Sequence, residues 1–180
     1  MKLKLDLHTH CHEATKLVTP DAHVVEEIIN QVKSRGLDGI AITDHEEMGG
    51  KRFAFKVVEI FERFFDKEIV IIPGQEIDRL YRGRFITSIL HVVELYLPNG
   101  STFRFIAHPG YPAGRWTDYL DDIHGLELEN WSCRIDKEKV KEIARNDGLL
   151  LLSNSDAHCL ENIGRYYNEI DLQELYSRAR

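Results

Sequence analysis

The chain has 180 residues, the usual length of a single domain and enough to bury a hydrophobic core. Its longest apolar run is far shorter than the roughly 20 residues of a membrane-spanning helix, and its first residues lack the apolar segment of a signal peptide. We therefore expect a cytoplasmic protein with no membrane partner. The net charge of -7 argues against a basic nucleic-acid surface, so nucleic acid is expected only as a substrate. The three cysteines are odd in number and far apart, which does not indicate disulfides and disfavours a zinc-thiolate site.

The first predicted element is a strand with histidines at its end. Leucines alternate with polar residues through 2–10 (KLKLDLHTH), which is typical of a strand with one apolar face. The opposite face carries Asp6, His8 and His10, because side chains two residues apart share a face. Two imidazoles therefore point the same way at the end of this strand.

Strands and helices alternate through the rest of the chain. Apolar runs predict strands at 39–43, 68–74, 85–97, 103–109, 125–130 and 149–155. Helical periodicity and end signals predict helices at 19–36, 52–65, 136–148 and 171–180. The basic stretch 79–84 is expected to be a loop. The connection between strands 85–97 and 103–109 is too short for a helix, so we expect a hairpin or tight bend there.

Histidines and carboxylates follow at least four of these strands, both early and late in the sequence. Repeated strand–helix units form either an open parallel sheet or a closed barrel. The polar strand ends can meet only if the first and last strands are close together, and a barrel provides that. The pattern therefore favours a barrel with its site at the C-terminal ends of the strands.

Five motifs occur in order, each after an apolar run: His8-Thr9-His10, Thr43-Asp44-His45, Gly74-Gln75-Glu76, Ala107-His108-Pro109 and Ser155-Asp156-Ala157-His158. At these motifs the chain resembles the PHP family, named for polymerase and histidinol phosphatase. The resemblance implies an α/β protein, a distorted (β/α)7 barrel, with residues 1–180 as one PHP-like domain. It also implies two or three divalent metal ions and the cleavage of phosphoester bonds.

By the same resemblance, His8, His10, Glu76 and Asp156 are expected to hold the central metal pair, with Glu76 as the bridge. The remaining coordination would come from four further histidines: His45, His91, His108 and His158. Imidazole and carboxylate ligands suit Zn, Mn or Fe. His91 lies in the middle of an apolar run, so a core position is the alternative for that residue.

The chain departs from the family pattern near the first motif. Thr15 and Lys16 stand where many members carry a further Asp or His ligand. Glu13 is the preferred substitute, since a carboxylate replaces an Asp in kind, and His12 is the alternative. If neither serves, the site holds two metals.

The expected partner is a small phosphorylated substrate, attacked by a metal-activated water. It is a phosphomonoester or a phosphodiester, and a nucleotide-like ester is one candidate. Arg134 is the preferred cation for developing charge, His158 or a protonated water assists the leaving group, and Asp44 orients an imidazole. Other side chains that could border the pocket are Lys51, Arg52, Arg79, Arg82, Tyr111, Arg115 and Trp116. The sequence does not indicate an oligomeric state.

Two other classes of function remain open. An amidohydrolase-type metallohydrolase shares the barrel and the histidines, but its metal-bridging lysine is not evident at a strand end. A non-catalytic PHP-fold subunit of a nucleic-acid-processing complex would be expected to lose its ligands, and this chain retains nearly all of them.

Overall fold

The fold is built on one sheet of eight strands, in a computed structural model that describes residues 1–82, 87–111 and 116–179. The strands are β1 (Leu3–Asp6), β2 (Gly39–Ile42), β3 (Val70–Arg82), β4 (Thr87–Tyr96), β5 (Thr102–Ile106), β6 (Gly125–Asn130), β7 (Leu150–Asn154) and β8 (Asn168–Ile170). The helices are α1 (Cys11–Ala14), α2 (Ala22–Ser34), α3 (Gly50–Phe64), α4 (Lys137–Asp147) and α5 (Leu172–Arg178). Short 3-10 turns occupy Glu46–Met48, Trp116–Asp118 and Leu160–Asn162. No helix in the described ranges is long and apolar enough to span a bilayer.

The strand order is β7-β6-β5-β4-β3-β2-β1-β8. β4 and β8 run antiparallel to their neighbours, and the other adjacent pairs are parallel. Six strands therefore share one direction, and their C-terminal ends lie at one rim of the sheet. The antiparallel β4 confirms the predicted hairpin before β5.

A side chain joins the two end strands of the sheet. The backbone N–H of Ser153 in β7 donates to Asn168 Oδ1 in β8 at 2.8 Å, and Asn168 Nδ2 donates to the Ser153 carbonyl at 2.9 Å. This amide thus takes the place of a strand's backbone and nearly closes the barrel. Beyond it, the Asp156 N–H donates to the His8 carbonyl at 2.9 Å, which brings the last motif against the first. The predicted distorted barrel is confirmed, with a short eighth strand added.

Packing of amphipathic helices on the sheet fixes the strands that carry the site. Asp21 caps α2 by accepting the Val24 N–H at 2.9 Å, and the apolar face of this helix packs with α3 in one buried cluster. A second buried cluster fills the barrel between strands, with Phe103 and Phe105 among its fully buried side chains.

Two predicted boundaries differ from the structure. β1 ends at Asp6, so His8 and His10 follow the strand instead of lying in it. β3 continues to Arg82, so Glu76 lies inside a strand and the expected loop at 79–84 is wrong over 79–82. Residues 83–86 lie outside the described residues. Antiparallel pairing with β4 satisfies the backbone of this polar stretch, and local sequence does not reveal that pairing.

Candidate metal centre

Four side chains from opposite ends of the sequence meet at the rim of the barrel. His10 Nε2 lies 3.3 Å from Glu76 Oε2 and 3.0 Å from Asp156 Oδ1. His8 Nε2 lies 3.4 Å from the same Glu76 oxygen and 3.5 Å from the same Asp156 oxygen. All four side chains are buried. The structure therefore brings together the residues expected at the central metal pair.

Glu76 is the point on which further imidazoles converge. Its Oε2 lies 3.3 Å from His45 Nδ1, and its Oε1 lies 3.0 Å from His91 Nδ1 and 3.4 Å from His108 Nε2. Five imidazoles thus approach one carboxylate. Of the two positions considered for His91, the structure places it at this carboxylate.

A second carboxylate, Glu13, faces three imidazoles at almost equal distances. Its Oε1 lies 3.8 Å from His10 Nδ1, 3.9 Å from His45 Nε2 and 3.8 Å from His158 Nε2. These four side chains form a group whose ligand atoms lie close enough to share one ion. The alternative residue, His12, stacks instead on Phe53 with ring centroids 4.5 Å apart.

Cys133 joins the cluster, although the sequence disfavoured a thiolate there. With His108 and Asp156 it forms a further group whose ligand atoms lie within 4.8 Å of one another. Asn130 holds this loop, since its Oδ1 accepts the Cys133 N–H at 2.8 Å. The available signal was position, because Cys133 follows β6 at the same rim as the motif histidines.

The separations between these atoms suit shared cations better than direct hydrogen bonds. Two ligands each about 2.1 Å from a tetrahedral ion lie roughly 3.4 Å apart, close to most of the contacts above. Several of the atoms are buried without a hydrogen-bond partner in the described part of the chain: His10 Nδ1, Glu13 Oε1, Glu76 Oε1 and His91 Nδ1. Unpaired buried polar atoms are costly unless something else satisfies them. The residues present therefore fit divalent metal ions.

Backbone strain marks two of the site residues. His108 has φ 29° and Asp156 has φ 52°, in the left-handed region that few residues other than glycine adopt. Such conformations persist where surrounding contacts over-determine them, and they concentrate at functional sites. Here they turn both side chains toward the cluster immediately after their strands.

Glu127 is a fully buried carboxylate that the sequence pattern did not indicate as part of the site. It supports the cluster by accepting hydrogen bonds from two of its histidines. Glu127 Oε1 accepts from His8 Nδ1 at 2.9 Å and from Asn154 Nδ2 at 2.8 Å. Its Oε2 accepts from the His108 N–H at 2.7 Å and from Asn130 Nδ2 at 2.9 Å. Both oxygens are thus occupied by donors, and Glu127 orients two site histidines without facing the cluster itself.

Asp44 and Asp6, two buried aspartates near the site, accept hydrogen bonds from backbone N–H groups and not from imidazoles. Asp44 was expected to orient an imidazole, but its Oδ1 accepts the N–H groups of His12 at 2.8 Å and Glu13 at 3.2 Å. Asp6 accepts the N–H groups of Ser155 at 3.1 Å and Gly164 at 2.9 Å. Burial raises the pKa of both carboxyls to about 6. Asp44 therefore fixes α1 and, through it, the position of Glu13.

The basic residues expected near the pocket are dispersed. Arg134 is exposed and lines a cavity together with Cys133. Arg79 pairs with Asp122 at 2.8 Å, whereas Lys51 and Arg52 line a separate cavity. Trp116 is buried, and the exposed Tyr111 holds His108, whose Nδ1 donates to the Tyr111 carbonyl at 2.9 Å. Arg115 and the Arg82 side chain lie outside the described residues.

Charge is concentrated in this cluster. Burial opposes ionisation of Glu76, yet the surrounding imidazoles, His8 foremost, hold its pKa well below the ordinary value. Burial likewise opposes protonation of His10, but Asp156 and Glu76 raise its pKa to about 9. Without a cation, the buried carboxylates are therefore balanced by protons on imidazoles.

Metal binding should release protons at neutral pH. His10 is protonated at pH 7 because its pKa is raised to about 9, and a cation at its nitrogen must displace that proton. Affinity for a divalent metal should therefore rise as pH increases from 6 toward 9. Calorimetric titration in two buffers of different ionisation enthalpy measures the protons released. Affinity that is independent of pH over this range, with no proton release, would contradict this account of the cluster.

The fold of this chain is similar to those of several solved structures. A protein from Bifidobacterium adolescentis, provisionally named a metal-dependent phosphoesterase, has 13% identity and a TM-score of 0.69 over 98% of this chain and 96% of that chain. PsfC from Pseudomonas syringae has 14% identity and a TM-score of 0.65 over 99% and 89%. An amidohydrolase from Chromobacterium violaceum, with bound sulfate and no metal, has 16% identity and a TM-score of 0.66 over 98% and 97%. These likenesses show the fold.

The comparison with curated proteins gave no match. The model of the PHP domain matches residues 8–178, and the chain therefore belongs to the PHP domain family.

Proposed function

We propose that this protein is a hydrolase of phosphoesters that uses three divalent metal ions. The observation that carries the proposal is Glu76, a buried carboxylate with five imidazoles around its two oxygens. A carboxylate in that position suits a bridge between cations, and bridged cations are typical of sites that cleave phosphoesters. The Bifidobacterium structure, provisionally named a metal-dependent phosphoesterase, supports the same class.

Three groups of side chains would hold the ions. His8, His10, Glu76 and Asp156 form the central group. Glu76 also serves the second group, which contains His91 and His108. Cys133 lies at the edge of this group, because its thiol is close to His108 and Asp156. The third group contains Glu13, His45 and His158, with His10 beside them. The ligand types suit Zn, Mn or Fe, and the thiol of Cys133 favours Zn or Fe over Mn.

The bound metals would supply a nucleophilic water at neutral pH and stabilise charge on the phosphoryl oxygens. The protein's own part is to position the ligands. Glu127 orients His8 and His108, and Asp44 fixes the backbone that carries Glu13. Arg134 lies beside Cys133 and would neutralise charge on the phosphoryl group. His158 Nδ1 donates to the Asp156 carbonyl at 3.0 Å, while its Nε2 faces Glu13, so its geometry favours ligation over proton donation.

Hydrolysis of p-nitrophenyl phosphate and bis-p-nitrophenyl phosphate tests this proposal. The purified protein should contain metal, hydrolyse at least one of the two esters and lose activity with EDTA. Asp156→Asn should lower both metal content and turnover, whereas Asp147→Asn, at an exposed position in α4, should leave both unchanged. Metal-free wild type with no turnover, or turnover unaffected by Asp156→Asn, would refute it.

The second candidate function is that of an amidohydrolase. The similarity to the Chromobacterium amidohydrolase structure favours it. Against it, the position between the imidazoles is occupied by the carboxylate of Glu76. Hydrolysis of hydantoin, a cyclic amide, in preference to both phosphate esters would favour this second class.

A further inference from the structure

A line of hydrogen-bonded side chains connects the seam of the barrel, where the end strands β7 and β8 meet, to the candidate metal centre. Asn168 lies on β8. Its Nδ2 donates to Asn154 Oδ1 at 2.8 Å, and Asn154 Nδ2 donates to Glu127 Oε1 at 2.8 Å. The same Glu127 oxygen accepts from His8 Nδ1 at 2.9 Å. Three consecutive hydrogen bonds therefore join Asn168 to a residue of the central metal group.

Backbone groups fix the orientation of both amides in this line. Asn168 Oδ1 accepts the Ser153 N–H at 2.8 Å, so its NH2 group must face Asn154. Asn154 Oδ1 accepts the Leu7 N–H at 3.1 Å, so its own NH2 group must face Glu127. A backbone N–H cannot act as an acceptor, and neither amide can turn over without leaving one unpaired. The direction of donation is thus determined from Asn168 to Glu127.

The inner three members of the line, Asn154, Glu127 and His8, have no exposed surface. A buried carboxylate remains ionised only where donors surround it, and Asn154 supplies one of the four donors to Glu127. Ionised Glu127 keeps the Nδ1 proton of His8 in place. The other nitrogen, Nε2, faces the carboxylates of the cluster and is left to bind a cation.

We infer that Asn168 is a positioning residue for the metal centre, and that closure of the barrel and metal binding are coupled through its amide. Asn168 also joins β8 to β7, since its Nδ2 donates to the Ser153 carbonyl at 2.9 Å. Separation of these strands would break the contact with Asn154 at the same time. A cation bound at His8 should therefore stabilise the seam, because coupling between two sites acts in both directions. The inference rests on the metal binding of the proposed function, whichever bond is hydrolysed.

Asn168→Asp tests the inference with little change in shape. The aspartate can still accept the Ser153 N–H, but its second oxygen then faces Asn154 Oδ1, and two acceptors repel each other. We expect the affinity for Zn²⁺, measured on the full chain by competition with a chelator, to fall about tenfold, the lower end of the range for outer hydrogen-bond partners. Asn99→Asp, in the exposed turn between β4 and β5, is the matched control and should leave the affinity unchanged.

A double-mutant cycle with Glu127→Gln separates positioning from a general defect of the fold. If Asn168 acts through Glu127, Asn168→Asp should cost little further affinity in a chain that already carries Glu127→Gln. Equal losses in both backgrounds, or an unchanged affinity in the single variant, would overturn the inference.

Hydrogen exchange in wild type tests the same coupling without any substitution. Zn²⁺ should slow exchange of the Ser153 N–H by about the factor that Asn168→Asp costs in affinity, because the coupling is reciprocal. The Leu97 N–H, which donates to the Ser101 carbonyl near the turn between β4 and β5, is the control and should be unaffected. Equal slowing of both protons, or no slowing of either, would contradict the coupling.

The proposed function fails by a different result, namely the absence of hydrolysis of any phosphoester. Coupling between Asn168 and Zn²⁺ in a protein without hydrolysis would support the positioning role and refute only the reaction. Hydrolysis by a protein whose Zn²⁺ affinity is indifferent to Asn168→Asp would refute only the positioning role.

Discussion

Glu127→Gln should remove most of the bound metal at pH 7, although Glu127 is not itself expected to be a ligand. The carboxylate accepts four hydrogen bonds, and three of the four donors cannot become acceptors. Asn154 Oδ1 already accepts the Leu7 N–H at 3.1 Å, and Asn130 Oδ1 accepts the Ser132 N–H at 2.8 Å, so both amides must present their NH2 groups to Glu127. The third donor is a backbone N–H.

A glutamine amide in this place puts its own NH2 group against one of those donors in either orientation. Where that group faces His8, the imidazole must accept at Nδ1 and carry its proton on Nε2, the nitrogen that faces Glu76 and Asp156. A protonated nitrogen cannot bind a metal. Loss of an outer hydrogen-bond partner typically lowers metal affinity about 10- to 100-fold, and an unpaired buried donor costs about 1–3 kcal/mol of stability.

Glu129→Gln is the matched control, because Glu129 lies on the same strand but pairs with Lys137 and Ser153 outside the cluster. Metal content by elemental analysis should fall only for Glu127→Gln. The nitrogen-15 shifts of the His8 imidazole should also report a change of tautomer in that variant alone. Equal metal content in both variants would show that Glu127 does not set the protonation of His8.

The sequence predicted those parts of the site whose signal is local. His8, His45, His108 and Asp156 each follow an apolar run, and residues after parallel strands of one barrel meet at one rim. The distorted barrel was predictable for the same reason. These inferences needed only the order of elements and the direction of the strands.

What could not be predicted depends on contacts between distant segments. Glu127 looks like any acidic residue of a half-exposed strand. Its role appears only when the fold places β6 beside β7 and brings His8, which follows β1, to the Glu127 carboxylate. Cys133 lies in a loop whose path is set by Asn130. Asn168 closes the barrel through an amide that no strand pattern signals.

Glu13 could be predicted only in part, because its role depends both on local sequence and on a contact with a distant segment. Residue type favoured it over His12, but its position depends on α1, a helix of four residues that is too short to be stable by itself. Asp44, 31 residues away from Glu13, caps this turn through two backbone N–H groups. The carboxylate thus reaches three imidazoles because a side chain from the end of β2 holds its backbone.

Substitution of Glu76 and of Glu13 should show how many metal ions the protein binds and which of them the reaction requires. Glu76→Gln removes the charge that five imidazoles share, so the central and second groups should both lose their ions. Glu13→Gln affects only the third group and should remove about one equivalent of metal. Glu47→Gln, at an exposed position in the turn after His45, is the control for both.

Elemental analysis and ester turnover, measured on the same preparations, give the result. We expect no measurable turnover for Glu76→Gln, because the bridge between cations is lost together with the phosphoryl-binding charge. Glu13→Gln should retain the other metals and part of the activity, since the central group keeps all four of its side chains.

If Glu13→Gln left the metal content unchanged, the third group would not be a metal site, and the protein would work with two ions. If Glu76→Gln kept both its metals and its turnover, the five imidazoles around that carboxylate would need another explanation, and the proposed reaction would lose its main support.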